Sequence, residues 1–312
     1  MKISLREAFG KALLSLAEEF ENFWILDADV AGGTCTHWFR DKYPDRFVQC
    51  GIAEQNMMGV AAGISTLGII PIVSCYAVFA SMRAIEQVRN TIAYGNFNVK
   101  IVASHVGIDV GPDGATHQAI EDLSIYRSIP NFTVISPCDD VELESALRWA
   151  LKYKGPVYMR TGRSPVPRIH KEEYGFKPGK LDVLKENGGE IAIFGMGITV
   201  HRALNVADRL EERGIEVGVV NVPTLKPVDL EEFYPVLKGK KLIFTVEDHN
   251  IIGGLGSLMS EVITELGLNT RLVKIGIKDK FGKSGDPKEL AELFEIGEQS
   301  IERIILENIK TF

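Results

Sequence analysis

The sequence predicts a two-domain α/β protein, each domain a mostly parallel sheet flanked by helices. Three observations predict it. Short β-branched runs alternate with segments of helical period, as parallel strands joined by helical crossovers do. The length, 312 residues, suits two domains of roughly 100–200 residues each. The alternation breaks once, between Arg163 and Gly189, where Pro165, Pro167, Gly175, Pro178, Gly179, Gly188 and Gly189 fall among charged residues, and then it resumes. Residues 1–164 are therefore expected as the first domain, 165–189 as a linker and 190–312 as a second, smaller domain.

Taken in order, Ser4 and Glu7 have capping-box spacing. Behind them Leu5, Ala8, Phe9, Ala12, Leu13, Leu16 and Phe20 keep a 3.6-residue period, which predicts a first amphipathic helix. Strands are expected at Phe23–Asp27, Phe47–Cys50, Ile69–Ser74, Val99–Ser104 and Phe132–Ser136. Helices are expected at Glu54–Thr66, Ser81–Tyr94, His117–Arg127 and Val141–Leu151, the last capped by Asp139 or Asp140. In the second domain, strands are expected at Glu190–Phe194, Glu216–Val220 and Lys241–Val246, separated by helices.

Composition narrows the function. A net charge of −7 without any basic block argues against a nucleic-acid surface, although a few placed Arg and His residues suffice to hold one phosphate. Cys35, Cys50, Cys75 and Cys138 form no CxxC pair and read as reduced thiols. The first residues, with Lys2, Arg6, Glu7 and Lys11, lack a signal-peptide pattern. The most apolar stretch, Gly68 to Ala80, contains Pro71 and is shorter than the ~20 residues a membrane span needs. A cytoplasmic protein with no membrane contact is expected.

Three segments carry more polar residues than a fold requires. Gly51-Ile52-Ala53-Glu54-Gln55-Asn56 follows a strand and opens a helix rich in Ala and Gly. Glu54 there either favours the positive helix N-terminus or is a buried acid of raised pKa that exchanges a proton with a bound heterocycle. The loop Ser104 to Gln118 leaves the carboxyl end of an apolar strand, where open α/β sheets bind ligands. It holds Gly107, Gly111, Gly114, His105, His117, Asp109 and Asp113. The two histidines lack the i,i+4 spacing of metal pairs, so polar substrate contacts suit them better and no metal site is expected in this chain. Gly195-Met196-Gly197-Ile198-Thr199-Val200 resembles a dinucleotide fingerprint, but Val200 stands for the third glycine and no acidic residue ends the next strand. A helix-packing turn is the reading there. Gly253-Gly254-Leu255-Gly256 reads as a helix start with weak anion-binding potential.

The strings GIAEQNMMGVAAGIS and SHVGIDVGPDGATHQAIEDLSIYRSIPN, with DKFGKSG over Asp279–Gly285, resemble the C-terminal half of transketolase, and the likeness runs through nearly the whole chain. The resemblance implies a thiamine-diphosphate pyrimidine-binding domain followed by a transketolase C-terminal-like domain. It implies that Glu54 supplies the carboxyl that hydrogen-bonds the aminopyrimidine, whose amino group then takes the thiazolium proton. Tyr76 and Phe79 match positions of aromatic rings against the pyrimidine, and Met82 stands where some members have a third. His105, Asp113 and His117 resemble residues lining the donor sugar and the cofactor's amino group, with the two histidines handling protons. Arg6 and Arg163 match the arginines that hold the sugar phosphate. A family serine falls near Gly33, so phosphate contacts are expected to be fewer, or to come from amides of Ala31–Thr34.

The family's other half binds magnesium and the diphosphate through a Gly-Asp-Gly motif, and no such string occurs here. The resemblance therefore implies a separate N-terminal transketolase subunit holding diphosphate and Mg2+, an α2β2 assembly, sugar-phosphate substrates, and ketol transfer only with that partner. The rivals are a 1-deoxyxylulose-5-phosphate synthase, which tends to lack the Phe281–Gly285 signature, and the beta subunit of a 2-oxo acid dehydrogenase, where the Asp113-Gly114-x-Thr116-His117 segment is not expected. A non-enzymatic scaffolding or regulatory module is the reading from another class; keeping Glu54, His105, Asp113, His117 and Arg163 together argues against it.

Overall fold

A computed structural model describes residues 2–186 and 189–310. Gly188 of the expected linker and the last two residues of the expected second domain lie outside the described residues. The strands are β1 (Lys2–Ser4), β2 (Phe23–Asp27), β3 (Phe47–Gln49), β4 (Ile70–Tyr76), β5 (Lys100–Ser104), β6 (Thr133–Ile135) and β7 (Val157–Thr161). They continue as β8 (Pro165–Pro167), β9 (Asp182–Lys185), β10 (Ile191–Gly195), β11 (Gly218–Asn221), β12 (Thr224–Lys226), β13 (Leu242–Asn250) and β14 (Arg271–Ile277).

Two sheets carry the fold. The larger has the order β12-β6-β7-β5-β4-β2-β3, parallel except for β12. The smaller has the order β14-β13-β10-β11-β9, parallel except for β9. This is the two-domain α/β architecture that the alternation of patterns predicts. The sheets are knitted together: β12 leaves the second half of the chain and pairs antiparallel with β6, Thr224 opposite Ile135. One apolar core runs through both, from Val73, Phe132 and Val134 to Phe194, Val220 and Phe233.

Local signals act as their chemistry requires. Ser4 and Glu7 close the capping box of helix Leu5–Glu19, which buries Leu5, Phe9, Leu13 and Leu16. Asp139, not Asp140, caps helix Asp140–Lys152, accepting from Glu142 N at 2.8 Å.

Several segments differ from expectation, among them the unexpected strands β1, β12 and β14. The stretch 165–189 holds two strands: β8 pairs with β1, and β9 edges the second sheet. Ser81–Tyr94 is no single α-helix; Phe79–Arg83 and Val88–Ala93 take π geometry around one α turn at Ile85–Gln87, each π turn accommodating an extra residue. The helix expected from His117 begins at Asp122, because Gln118 is drawn into bonds to Ile108 O and Lys283 O and Ala119 O receives Gly107 N. β7 is absent from the sequence reading because Arg160 interrupts its apolar run; that guanidinium is buried against Asp122 at 2.8 Å.

Candidate functional site

Strand register sets the site. Asp27 lies opposite Gln49 and Ser74, Tyr76 opposite Ser104, and Ser104 opposite Thr161, so the carboxyl ends of β2 to β5 and β7 form one edge. β2 continues outward to β3, whereas β4 continues the other way to β5. Their shared border is the switch point at which open α/β sheets form a crevice.

Glu54 is the first residue of helix Glu54–Ser65 and is 2% exposed. Its two carboxylate oxygens accept from Arg83 Nη1 at 2.8 and 3.0 Å. The Arg83 guanidinium, half exposed, lies 4.4 Å from the centre of the Phe79 ring, a cation–π arrangement. Phe79 meets His117 edge-on at 5.5 Å, and Tyr76 stacks on His105 at 3.9 Å and on Phe79 at 5.9 Å. The structure thus links Glu54, Tyr76, Phe79, His105 and His117 through one run of contacts. Met82, on the same π turn as Phe79 and Arg83, faces solvent at 45% exposure.

His105 sits at φ +60°, and its Nδ1 is 2.9 Å from Ser104 Oγ. Burial first, then the charges of Arg163 and Arg6, push this imidazole down to about 3. It is therefore neutral near pH 7, a state suited to hydrogen bonding and not to releasing a proton. His117 is more open, with Nδ1 2.9 Å from Thr116 Oγ1.

Arg6 and Arg163 border one cavity of ≈ 310 Å³, with Ser4, Val110 and Ser164 in its wall. Arg163 donates to Val110 O at 2.7 Å and to Asp113 Oδ2 at 3.0 Å, and the acids Glu7 and Asp109 also stand in the cavity wall. Arg6 donates to Gly33 O at 3.1 Å, and its buried Nε has no protein partner. Gly33 admits no side chain: a Cβ there would lie 2.2 Å from Tyr76 Oη. That close approach explains a glycine where the resemblance has a serine. Of the amides expected to reach a phosphate, those of Gly33 and Thr34 are taken by Val30 O.

Two residues at this edge escape sequence reasoning. Arg83 carries no motif, and only its place on a π turn brings it to Glu54. Asp27 is fully buried; its Oδ2 accepts from Val30 N and Gln49 Nε2 at 3.1 and 3.0 Å, and Oδ1 has no partner. Burial raises its pKa. An acid ending the apolar run Phe23–Leu26 was the available signal.

The glycine-rich turns are filled by the protein itself. A Cβ on Gly195 would meet Val200 Cα at 3.2 Å, which suits close packing of helix Thr199–Glu211 on β10. At the helix opened by Leu255, the Glu247 carboxylate already accepts from Leu255 N and Gly256 N at 2.7 and 2.8 Å. Among the described residues, the groups of His, Cys and acidic side chains close enough to share a cation are Cys138–Asp139–His170 and Glu142–His170–Asp182. They lie at the junction of the two domains and bond to one another, His170 Nδ1 to Asp139 Oδ2 at 3.1 Å and Tyr174 Oη to both Glu142 and Asp182. The four cysteines form no disulfide. No helix among the described residues is long and apolar enough to cross a membrane.

Comparison with known proteins agrees with this architecture. Residues 1–168 match the profile of the transketolase pyrimidine-binding domain and residues 179–301 that of the transketolase C-terminal domain. A Methanocaldococcus jannaschii protein, provisionally named a transketolase C-terminal section, is 44% identical over 98% of this chain and 96% of its own. One of the subunits of an apulose-4-phosphate transketolase from Actinobacillus succinogenes is 40% identical over 84% of this chain and 85% of its own. Among solved structures, a split-gene transketolase described as an inactive β4 tetramer superposes with a TM-score of 0.90 at 42% identity, covering 98% of each chain.

Proposed function

The chain belongs to the transketolase family, and from that premise we propose that it is the pyrimidine-binding and C-terminal subunit of a split transketolase. Together with a separate diphosphate-binding subunit it moves a two-carbon ketol unit from a ketose phosphate to an aldose phosphate. The observation that carries the reading is Glu54, an acid 2% exposed at a helix start and linked through Arg83 to the Phe79 ring. The pyrimidine-binding domain implies thiamine diphosphate, and a buried carboxyl joined by Arg83 to the Phe79 and Tyr76 rings fits the aminopyrimidine end of that molecule. No Gly-Asp-Gly string is present for the other end, which favours a partner that holds Mg2+ and the diphosphate.

Bound at this edge, thiamine diphosphate would supply a nucleophilic carbon for two-carbon transfer, its aminopyrimidine end held by Glu54, Tyr76 and Phe79. In this reading Glu54 holds a proton at the ring nitrogen of the aminopyrimidine, sharing its oxygens with Arg83. Tyr76 and Phe79 offer ring faces, and Met82 an exposed thioether. His105, neutral and fixed by Ser104, accepts or donates a hydrogen bond to a sugar hydroxyl. His117 is the better placed of the two for proton exchange. Arg163 and Arg6 grip the phosphate with forked guanidinium donors, and Asp113 pairs with Arg163 beside them.

The split-gene relative described as an inactive β4 tetramer supports the part of the proposal that this subunit is inert alone and self-associates, and an α2β2 assembly with the partner is proposed with it. The proposed setting of that assembly is the cytoplasm. The experiment mixes this chain with a transketolase N-terminal half, thiamine diphosphate and Mg2+, and assays xylulose 5-phosphate with ribose 5-phosphate. Ketol transfer in the mixture and none from either chain alone is the expected result. Transfer by this chain alone, or by no combination, refutes the reading.

A further inference from the structure

The loop that follows β5 is held by the other domain. Asp248, near the end of β13, accepts from Ile108 N at 2.9 Å. Gly107, at φ +61°, lies so close that a Cβ would be 1.9 Å from Asp248 Oδ2. Arg202, on helix Thr199–Glu211, places Nη2 3.1 Å from Asp109 Oδ1, with the two side chains 10% and 2% exposed. Its Nη1 donates to Ile296 O at 3.2 Å. At the far end of the loop, Gln118 Nε2 donates to Lys283 O at 2.9 Å and to Ile108 O at 3.2 Å. Ile108 and Ile120 belong to the apolar core of the second domain, with Phe244 and Ile275.

We propose that Arg202 and Asp248 are positioning residues: the second domain is the template on which segment 107–118 takes the shape that presents His105, Asp113 and His117. The catalytic consequence rests on the reading of that loop as substrate-binding; the template itself does not. The loop's ends are pinned and its middle spans the Arg163 cavity, so its course there is fixed from below. Arg202 also answers two acids at once. Asp109 and Asp248 face each other closely enough to repel, and each has one buried oxygen without a partner. Remove the guanidinium and Asp109 remains an unpaired carboxylate in the interior beside Asp248, which keeps the Ile108 amide and the charge of Arg160, a costly state. The easiest escape is for Asp109 to swing to water and take the loop with it.

Hydrogen exchange on the full chain tests the template. In Arg202→Met and in Asp248→Ala, exchange across residues 107–113 should accelerate at least about ten-fold, while β2, β4 and β10 stay protected. Arg202→Lys, which keeps the charge, should recover much of the protection. Unchanged protection in both variants overturns the proposal, as does a loss that spreads evenly through β10 and β13. Should Arg202→Met not fold, Asp109→Asn combined with Arg202→Met leaves no unpaired buried charge at this pair; a released loop there supports the template and a closed one refutes it. In the enzyme reconstituted with the diphosphate-binding half, Arg202→Met should lower kcat about ten-fold or more with the half-saturating thiamine diphosphate unchanged, and Arg202→Lys should restore it. A released loop with full kcat would refute the positioning role. A wild-type mixture without ketol transfer would refute the proposed function, and the exchange result would still decide the template.

Discussion

Arg83 Nη1 bridges both carboxylate oxygens of Glu54, at 2.8 and 3.0 Å, from a side chain that is itself half exposed. The proposed partner of a coenzyme ring is thus already engaged. Exposure of the arginine leaves the pair of modest worth to the fold, about 1 kcal/mol or less. Glu54→Gln should therefore fold and melt within a few degrees of the wild type, and lose turnover by at least ~10²-fold. Thermal unfolding of the chain and ketol transfer by the reconstituted enzyme are the measurements. Full activity in the Glu54→Gln enzyme would remove this carboxyl from the chemistry.

Arg163 faces both Asp113 and the cavity it shares with Arg6. Arg163→Ala should raise KM for phosphorylated ketoses about ten-fold or more, since a hydrogen bond to a charged group contributes about 1.5–3 kcal/mol. KM for hydroxypyruvate, which lacks a phosphate, should move far less. Equal shifts for both donors would argue against a phosphate contact.

Gly33 tolerates little beside the site. A methyl group there meets the Tyr76 hydroxyl at 2.2 Å, so Gly33→Ala must displace the ring that stacks on His105. The expected cost is about 1–3 kcal/mol of stability, read by denaturant unfolding. A changed near-ultraviolet circular dichroism spectrum should accompany it.

The junction between the domains should make stability depend on pH. Burial opposes a charge on His170, but the hydrogen bond to Asp139 and the nearby carboxylates of Asp182, 3.7 Å from Nε2, and Glu142 outweigh it and hold the imidazole up at about 10. A group whose pKa is raised by folding contributes its full stability below its unfolded value, ~6.5, and loses it as pH rises through the folded one. Glu142, pushed up to about 7 chiefly by burial, adds a loss of its own as pH rises from its unfolded value, ~4.3, through about 7. Unfolding free energy should fall between pH 6.5 and 10, and His170→Asn should flatten that slope. A wild-type profile flat over this window would contradict the assignment.

How far the chain could be read in advance depends on the range of each interaction. Ser4 with Glu7 spans one helical turn, and the first helix was legible from its period alone. Glu54 was visible at the opening of a helix because strand, glycine turn and helix are neighbours in sequence. Arg83 was not, since its approach needs a π turn that no residue type announces. Nor were the contacts of Asp109 with Arg202 and of Ile108 with Asp248, whose partners are 93 and 140 residues apart. β12 and β9 are short and polar in part, and they become strands only because an edge lies beside them.

The return of β12 to the larger sheet has a practical corollary for anyone dissecting this protein. A fragment ending at the apparent boundary near residue 164 would carry β6 with its outer peptide groups uncovered, an invitation to stick to other copies. Such a piece should need Thr224–Lys226 supplied in trans to stay in solution. The two lobes are better regarded as tailored from one cloth than as separable cassettes.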